Sequence, residues 1–308
     1  MKIQDVDIRV LNMHTRMPFK YGIASLERVP HTFVQVSLEQ DGVVSRGTAA
    51  DGLAPKWFTK NPGTSFEHDI AEMMEVIRHA GQAATEADPA DTIYDLWRDI
   101  YDRQKAWGEE KSYPPLLWGF GVTLVERALI EAFCRGGETT FAKAIRSNAL
   151  GIRLDDLRPE LEGRQPADYL PEQPIRSILA RHTVGLADPL TPGDIPEDEL
   201  LDDGLPQALD QCIDAYGLRS FKIKLCGDIE KDLARMHELA RIIDDQCDDY
   251  SFTLDGNEQY KEVEPFIEIW QGLNADPGIA PFMKHLYFVE QPFHRDVALA
   301  PETGETLK

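Results

Sequence analysis

Residues 219–225 read Arg-Ser-Phe-Lys-Ile-Lys-Leu and place Lys222 and Lys224 at the end of the most strand-like stretch of the chain. The 308-residue protein is otherwise strongly acidic, with 54 acidic against 32 basic residues and a formal net charge of −22. Two lysines that are two positions apart on a strand share one face. A buried face of this kind is costly unless the ammonium groups meet carboxylates, a metal-bound anion or water.

Strands and helices alternate on both sides of this stretch. Strands are predicted at 182–186, 219–225, 251–255 and 285–290, with helices near 205–216, 228–245 and 261–273. Strict alternation of strand and helix is typical of parallel βαβ units. Residues 151–178 are rich in proline and charge, which indicates a crossing segment ahead of this α/β region.

Three consecutive strands of this region end on charged side chains: Lys222 and Lys224, then Asp255, then Glu290. In a parallel sheet all carboxyl ends lie on one side, where active sites are built. Asp255 follows Lys224 by 31 residues and Glu290 follows Asp255 by 35, close to the roughly 31 residues per unit of an eight-unit barrel. Taken singly, each charge is better explained as a strand-terminal residue in solvent or, for Lys224 and Asp255, as a structural ion pair. Their recurrence in one register favours a functional site.

The first 150 residues follow an α+β pattern. Strands are predicted at 3–11, 32–38 and 43–49, and helices at about 64–86, 91–106 and 116–135. The Thr64-x-x-Glu67 sequence indicates a capping box at the start of the first helix. Two segments rich in proline, glycine and aromatic residues, 14–30 and 50–63, are predicted to be binding loops.

The motifs FKIKL, LDGNEQY and VEQP resemble the barrel domain of the enolase superfamily, particularly its mandelate racemase and muconate lactonizing enzyme branches. The resemblance covers the whole chain. It implies an α+β capping domain over 1–150 and a TIM-type α/β barrel domain over 151–308. About the first four βα units of the barrel are present, and the two predicted loops belong to the cap.

The resemblance also implies a chemistry for the charged strand ends. Asp255 and Glu290 would bind Mg²⁺ or another divalent cation such as Mn²⁺, with Asn257 either orienting Asp255 or forming the turn. Lys224 would be the general base that removes a proton alpha to a carboxylate, giving a metal-stabilised enediolate, and Lys222 would stay cationic and contact the substrate carboxylate. Dehydratase, epimerase or racemase, and cycloisomerase activities on a sugar acid or another small carboxylate all use this step.

Further candidates come from the cap loops and from the end of the chain. Phe19, Tyr21 and Trp57 are expected either to contact substrate or to pack at the seam between the domains. His294 is expected either to contact substrate or to cap the next helix.

After Glu290 only 18 residues remain, without a further strand pattern. The resemblance implies about four more βα units, which would carry a third metal carboxylate and a second acid/base group. We therefore expect the chain to be a fragment of a longer protein. The alternative is a non-catalytic truncated relative that acts as a binding or assembly module, in which an open sheet edge promotes a homo-oligomer.

The net charge of the chain limits its binding partners. A strongly negative protein repels nucleic acid and anionic membranes, so we expect neither as a partner. The first residues alternate like a strand rather than forming a signal peptide, and the four cysteines lack CxxC spacing. Both features favour a cytoplasmic protein.

Overall fold

The computed structural model describes residues 1–21 and 24–307, with the backbone alone at Lys20, Tyr21 and Ala24. The chain divides into two compact units, Met1–Ile175 and Arg176–Lys308. Each unit has its own hydrophobic core. No helix within the described residues is both long and apolar enough to cross a membrane.

The first unit opens with an antiparallel sheet in the order β1-β2-β3, formed by Lys2–Tyr21, Ala24–Gln40 and Val43–Gly52. The turn between β2 and β3 has Asp41 at φ 52° and Gly42 at φ 80°. Two successive residues at positive φ are what a tight two-residue hairpin requires. The strands predicted at 32–38 and 43–49 are confirmed as the two arms of this hairpin.

The prediction of a loop across 14–30 is wrong for the described residues, because β1 and β2 stay paired almost to their shared tip. Met13 lies opposite Val29, and Phe19 lies opposite Leu26. The pairing is irregular between His14 and Phe19. Pro18 falls within this bulge, where a strand need not donate a ladder hydrogen bond. Gly22 and Ile23 lie outside the described residues.

Four helices follow the sheet: α1 Phe66–Glu86, α2 Ile93–Glu110, α3 Pro115–Gly136 and α4 Phe141–Arg146. Ser65 caps α1, because its side chain accepts a hydrogen bond from the backbone N–H of His68. The predicted cap at Thr64 is therefore one residue early. α3 packs on the sheet, and a Cβ at Gly47 would meet the backbone of this helix. That close approach explains the glycine in β3.

Residues 151–175 belong to the first unit, whereas the sequence placed the domain boundary after residue 150. The Arg153 guanidinium lies 2.7 Å from the carboxylate of Asp95 on α2. Arg146 on α4 donates to the carbonyl oxygens of Leu170 and Pro171, each at 2.8 Å. These contacts attach the segment to the helices that precede it.

The second unit alternates strands and helices, as predicted. Its elements are β4 Arg181–Val184, α5 Leu209–Tyr216, β5 Ser220–Lys224, α6 Ile229–Gln246, β6 Ser251–Asp255, α7 Val263–Ala275, α8 Ala280–Met283, β7 Leu286–Glu290 and α9 Pro301–Thr306. The four strands form one parallel sheet in the order β4-β5-β6-β7. This confirms the predicted architecture of an antiparallel sheet domain followed by a parallel α/β domain with the first strands of a barrel.

Alternation along the strands gives the parallel sheet two different faces. Phe221, Ile223, Phe252 and Leu254 are fully buried in the core of this unit, which also contains Leu239 and Ile243 of α6. The residues between them, including Lys222 and Thr253, lie on the opposite face. The apolar face therefore fixes the strands on the helices and leaves the polar face for a site.

The segment between β3 and α1 folds around a buried lysine. Lys56 has a left-handed backbone with φ 61°, and its side chain is 6% exposed. The ammonium group lies 2.8 Å from the carbonyl oxygen of Asn61, 2.6 Å from the hydroxyl of Thr64 and 3.1 Å from the carboxylate of Asp69. This single cation holds the predicted binding loop in an irregular but defined conformation.

We expect Asp69→Asn to lower the free energy of unfolding by about 3 kcal/mol, because it leaves a buried ammonium without its carboxylate. Burial works to raise the pKa of Asp69, but hydrogen bonds from Thr64 and Lys56 outweigh it and lower that pKa. The carboxylate therefore stabilises the fold fully above its unfolded pKa of about 3.9, and this contribution is lost as pH falls through the lower folded value. Urea unfolding at neutral and acid pH measures both effects. The exposed Asp91→Asn change is the control, and an equal loss in both variants contradicts the expectation.

Candidate active site

The charged strand ends of the second unit lie side by side. Lys224 of β5 is in register with Asp255 of β6, which is in register with Glu290 of β7. Two residues earlier on each strand, Lys222 is in register with Thr253, which is in register with Phe288. The sequence-based expectation that these charges converge therefore agrees with the strand pairing.

The two carboxylates share one ammonium group. Lys222 Nζ lies 2.7 Å from Asp255 Oδ2 and also contacts Glu290 Oε1. The side chains of Lys222 and Glu290 are about one-fifth exposed, and that of Asp255 is nearly buried. Burial opposes the charged form of the lysine, but the hydrogen bonds to Asp255 and Glu290 prevail and raise the pKa of Lys222. The site therefore holds a permanent cation between two anions.

Lys224 differs from its neighbour. It is half-buried on the same face of β5, and within the described residues it has no carboxylate within ion-pair distance. The structural ion pair that the sequence left open for Lys224 with Asp255 is made by Lys222 instead. The two lysines thus have separate environments, one neutralised by carboxylates and the other without such a partner.

The turn after β6 orients Asp255. The backbone N–H of Asn257 donates to Asp255 Oδ1 at 2.8 Å, and its side-chain amide donates to the carbonyl oxygen of Leu225 at 3.2 Å. Asn257 and Glu258 both have positive φ, at 51° and 61°. Asn257 is therefore a turn residue and also orients the carboxylate, through its backbone rather than its side chain. Backbone strain of this kind is concentrated at functional sites.

A partly buried ion pair joins the segments that follow β6 and β7. Arg295 Nε and Nη2 donate to the two carboxylate oxygens of Glu258 at 2.8 and 2.7 Å, and the Arg295 backbone N–H donates to the same group at 3.1 Å. Two parallel N–H···O bonds to one carboxylate give a strong, oriented contact. The pair therefore fixes the spacing of the two segments that follow Asp255 and Glu290.

His294 lies beside this pair and is partly buried. Its backbone N–H donates to the carbonyl oxygen of Tyr260 at 2.7 Å, and its ring Nδ1 lies 3.3 Å from the carboxylate of Asp296. The next helix, α9, begins at Pro301. A substrate contact by His294 stays a prediction.

Arg181, the first residue of β4, is a member of the cluster that sequence reasoning missed. Its Nη1 atom lies 2.9 Å from Thr253 Oγ1 and 3.2 Å from Glu290 Oε2. The strand was predicted to begin at residue 182, so Arg181 stood outside it. Its contact with Glu290 crosses two intervening strands, and no local sequence pattern encodes such a contact.

The cap residues lie in the first unit. Phe19 on β1 and Trp57 in the segment after β3 are each about half exposed. The side chain of Tyr21 lies outside the described residues. For all three, contact with a substrate stays a prediction.

The donor set fits a hard divalent cation in part. Asp255 and Glu290 present carboxylate oxygens to a single cationic atom, and carboxylate oxygens are the ligands that Mg²⁺ prefers. The part of the chain that the structure describes contains no cluster of three His, Cys, Asp or Glu side chains suited to a metal. Two carboxylates are nevertheless enough for Mg²⁺ when water and substrate oxygens complete its shell.

Comparisons with known proteins identify the fold. No family model matches the sequence, and no curated protein matches it. Among solved structures, a dipeptide epimerase from Enterococcus faecalis V583 complexed with Mg and L-Leu-L-Tyr has a TM-score of 0.57 at 16% identity. An enolase from Bradyrhizobium complexed with magnesium and mandelic acid has 0.56 at 15%, and a mandelate racemase/muconate lactonizing protein from Herpetosiphon aurantiacus has 0.55 at 17%.

Each of these matches covers 96% of this chain but only 62 or 63% of the solved structure. The chain therefore spans less than two thirds of the length of these neighbours. The resemblance to the mandelate racemase and muconate lactonizing enzyme branch of the enolase superfamily is confirmed as a likeness of fold.

We expect Gly256→Ala to disturb the site, because an added Cβ would lie 2.5 Å from Cα of Pro292, two residues after the end of β7. Relief of this clash requires the segments that follow Asp255 and Glu290 to separate, at a cost of about 1–3 kcal/mol. Urea unfolding measures the loss. Gly304→Ala in α9 is the control, since open space surrounds that position. Equal stability of the two variants would show that the contact is unimportant.

Proposed function

We propose that this protein removes a proton alpha to the carboxylate of a small substrate, with a divalent metal ion held by Asp255 and Glu290. The observation that carries the proposal is the register of β5, β6 and β7, which aligns a lysine and two carboxylates at the carboxyl-terminal ends of these strands. The solved neighbours include a dipeptide epimerase and a mandelic acid complex. The proposed reaction class is accordingly a lyase or isomerase step: dehydration, epimerisation, racemisation or cycloisomerisation.

The metal ion is proposed to be Mg²⁺ or Mn²⁺, since both carboxylates offer hard oxygen ligands. When bound, such an ion neutralises the negative charge that develops on the substrate carboxylate as the proton leaves. Two of the neighbours described above are complexed with magnesium. Asn257 would keep Asp255 oriented through the backbone hydrogen bond to its Oδ1 atom.

The different environments of the two lysines support different roles. Lys224 has no carboxylate partner among the described residues, so its nitrogen is the group proposed to take the proton from the alpha carbon. Lys222 is held between two carboxylates, which favour its charged form. We assign it to binding the substrate carboxylate as a fixed cation. Proton transfer and charge neutralisation are then divided between adjacent residues of one strand face.

The substrate is proposed to be a small carboxylate, such as a sugar acid. Phe19, Tyr21, Trp57 and His294 remain the proposed contacts that would select it. The resemblance implies a third metal carboxylate and a second acid/base group, and the complete reaction is proposed to use both. In the part of the chain that the structure describes, β7 is the last strand.

We expect MgCl₂ to raise the melting temperature of the protein, and Asp255→Asn to abolish that rise. Binding to the folded state alone stabilises it by about 2.7 kcal/mol at one hundred times the dissociation constant. Differential scanning calorimetry measures the shift. Asp249→Asn is the matched control, because this exposed carboxylate lies on the turn before β6. An unchanged melting temperature with magnesium contradicts the metal site.

We also expect Lys224→Ala to lower the exchange of the substrate alpha proton with solvent deuterium at least one hundredfold, because the general base is removed. NMR of small carboxylates, including mandelate and dipeptides, measures this exchange. Lys284→Ala, at an exposed position of the same unit, serves as the control. Exchange that persists at the wild-type rate in Lys224→Ala would exclude this lysine as the base.

A second candidate function is a non-catalytic assembly module. The feature that favours it is β7, which is the last strand in the described sheet and exposes 79% of Tyr287 and 43% of Phe288. Exposed apolar edge strands promote association between chains.

This candidate requires a self-associated protein that Tyr287→Lys disperses. A charge on an edge strand opposes pairing with a second edge. Light scattering measures the mass of both proteins, with Tyr216→Lys as the control, since Tyr216 is 59% exposed at the end of α5. A wild-type monomer rejects the module.

A further inference from the structure

Four charged side chains meet on the polar face of the parallel sheet. Asp255 and Glu290 carry two negative charges, and Lys222 and Arg181 carry two positive charges. The charges of these four ion-paired side chains therefore sum to zero, and the two carboxylates among them are the proposed metal ligands.

Arg181 and Lys222 divide the oxygens of Glu290 between them. Lys222 contacts Oε1 of Glu290, and Arg181 Nη1 lies 3.2 Å from Oε2. Both carboxylate oxygens of one proposed ligand are thus occupied by cations of the protein itself. A metal ion that binds Glu290 must displace Arg181 or Lys222 from this carboxylate, or bind against the electrostatic repulsion of these two cations.

The arginine has other contacts that do not depend on Glu290. Its Nη1 atom also donates to Thr253 Oγ1 at 2.9 Å, and its guanidinium carbon lies 5.9 Å from the centre of the Phe288 ring. A hydroxyl acceptor and an aromatic face can still bind a guanidinium when a metal ion has bound its carboxylate partner. Arg181 is therefore positioned to release Glu290 without leaving the face of the sheet.

We infer that Arg181 is a built-in counter-cation of the proposed metal site, which pairs with Glu290 and competes with a divalent ion for that carboxylate. This inference rests on the proposed function, because it takes Asp255 and Glu290 as the ligands. The physical reason is that two carboxylates only 7% and 21% exposed repel each other unless cations neutralise them. Arg181 supplies part of that neutralisation and so sets a lower metal affinity.

The test is the affinity of the 308-residue chain for Mn²⁺ at neutral pH, measured by the electron paramagnetic resonance signal of free Mn²⁺. Arg181→Gln removes the competing charge, and we expect the dissociation constant to fall about fivefold, the size of one modest ion pair. Arg181→Lys retains a cation and should stay within about twofold of wild type. Arg241→Gln, an exposed arginine of α6, controls for net charge and should also change less than about twofold.

The sign of the change separates this role from a structural one. A variant that merely disrupts the site binds Mn²⁺ more weakly, whereas removal of a competitor strengthens binding. An unchanged or weaker affinity in Arg181→Gln, with wild-type binding intact, overturns the inference and leaves the proposed function standing. If Arg181→Gln does not fold, Arg181→Met retains the side-chain stem near Phe288 and carries the same expectation.

Failure of the proposed function has a different outcome. If neither the wild type nor the Arg181 variants bind Mn²⁺, both the metal site and the inference fail. If the wild type binds no Mn²⁺ but Arg181→Gln does, Arg181 blocks the site and the inference is supported. The outcomes therefore distinguish failure of the Arg181 inference from failure of the proposed metal site.

Discussion

The parallel register of β5, β6 and β7 is the constraint on which the candidate site depends. Lys224, Asp255 and Glu290 come from positions far apart in the chain, and they become neighbours because the three strands pair without a shift at their carboxyl ends. That register is held from the opposite face by buried residues such as Phe221 and Phe252. A one-residue slip would turn the charges into the apolar core.

The charges then stabilise the arrangement that the core makes possible. Lys222 lies between Asp255 and Glu290, while Arg181 reaches Glu290 from the other edge of the sheet. Beyond the strands, the Glu258–Arg295 pair ties together the segments that follow β6 and β7. The site is thus stabilised by hydrophobic packing on one face of the sheet and by ion pairs on the other. A fold with this support keeps two carboxylates close together, as a divalent cation requires.

Much of this arrangement was predictable, and the failures have local causes. The three charged strand ends repeat at nearly the spacing of a barrel unit, so they were found without a structure. The 14–30 segment was predicted to be a loop from its content of proline, glycine and aromatic residues, whereas a bulge accommodates Pro18 within the paired strands. The helix cap fell at Ser65 rather than Thr64, because Thr64 contacts the ammonium group of Lys56. Such choices depend on partners distant in sequence.

The sequence by itself determined the alternation of strands and helices, the placement of charge at the strand ends and the resemblance in fold, because these depend on periodicity and on short motifs. Only the tertiary structure decided which lysine pairs with the carboxylates, and it chose Lys222 rather than Lys224. It also brought Arg181 to Glu290. The physical reason is that cross-strand contacts depend on the pairing register of the strands and on the length of each side chain. A short stretch of sequence does not specify the pairing register.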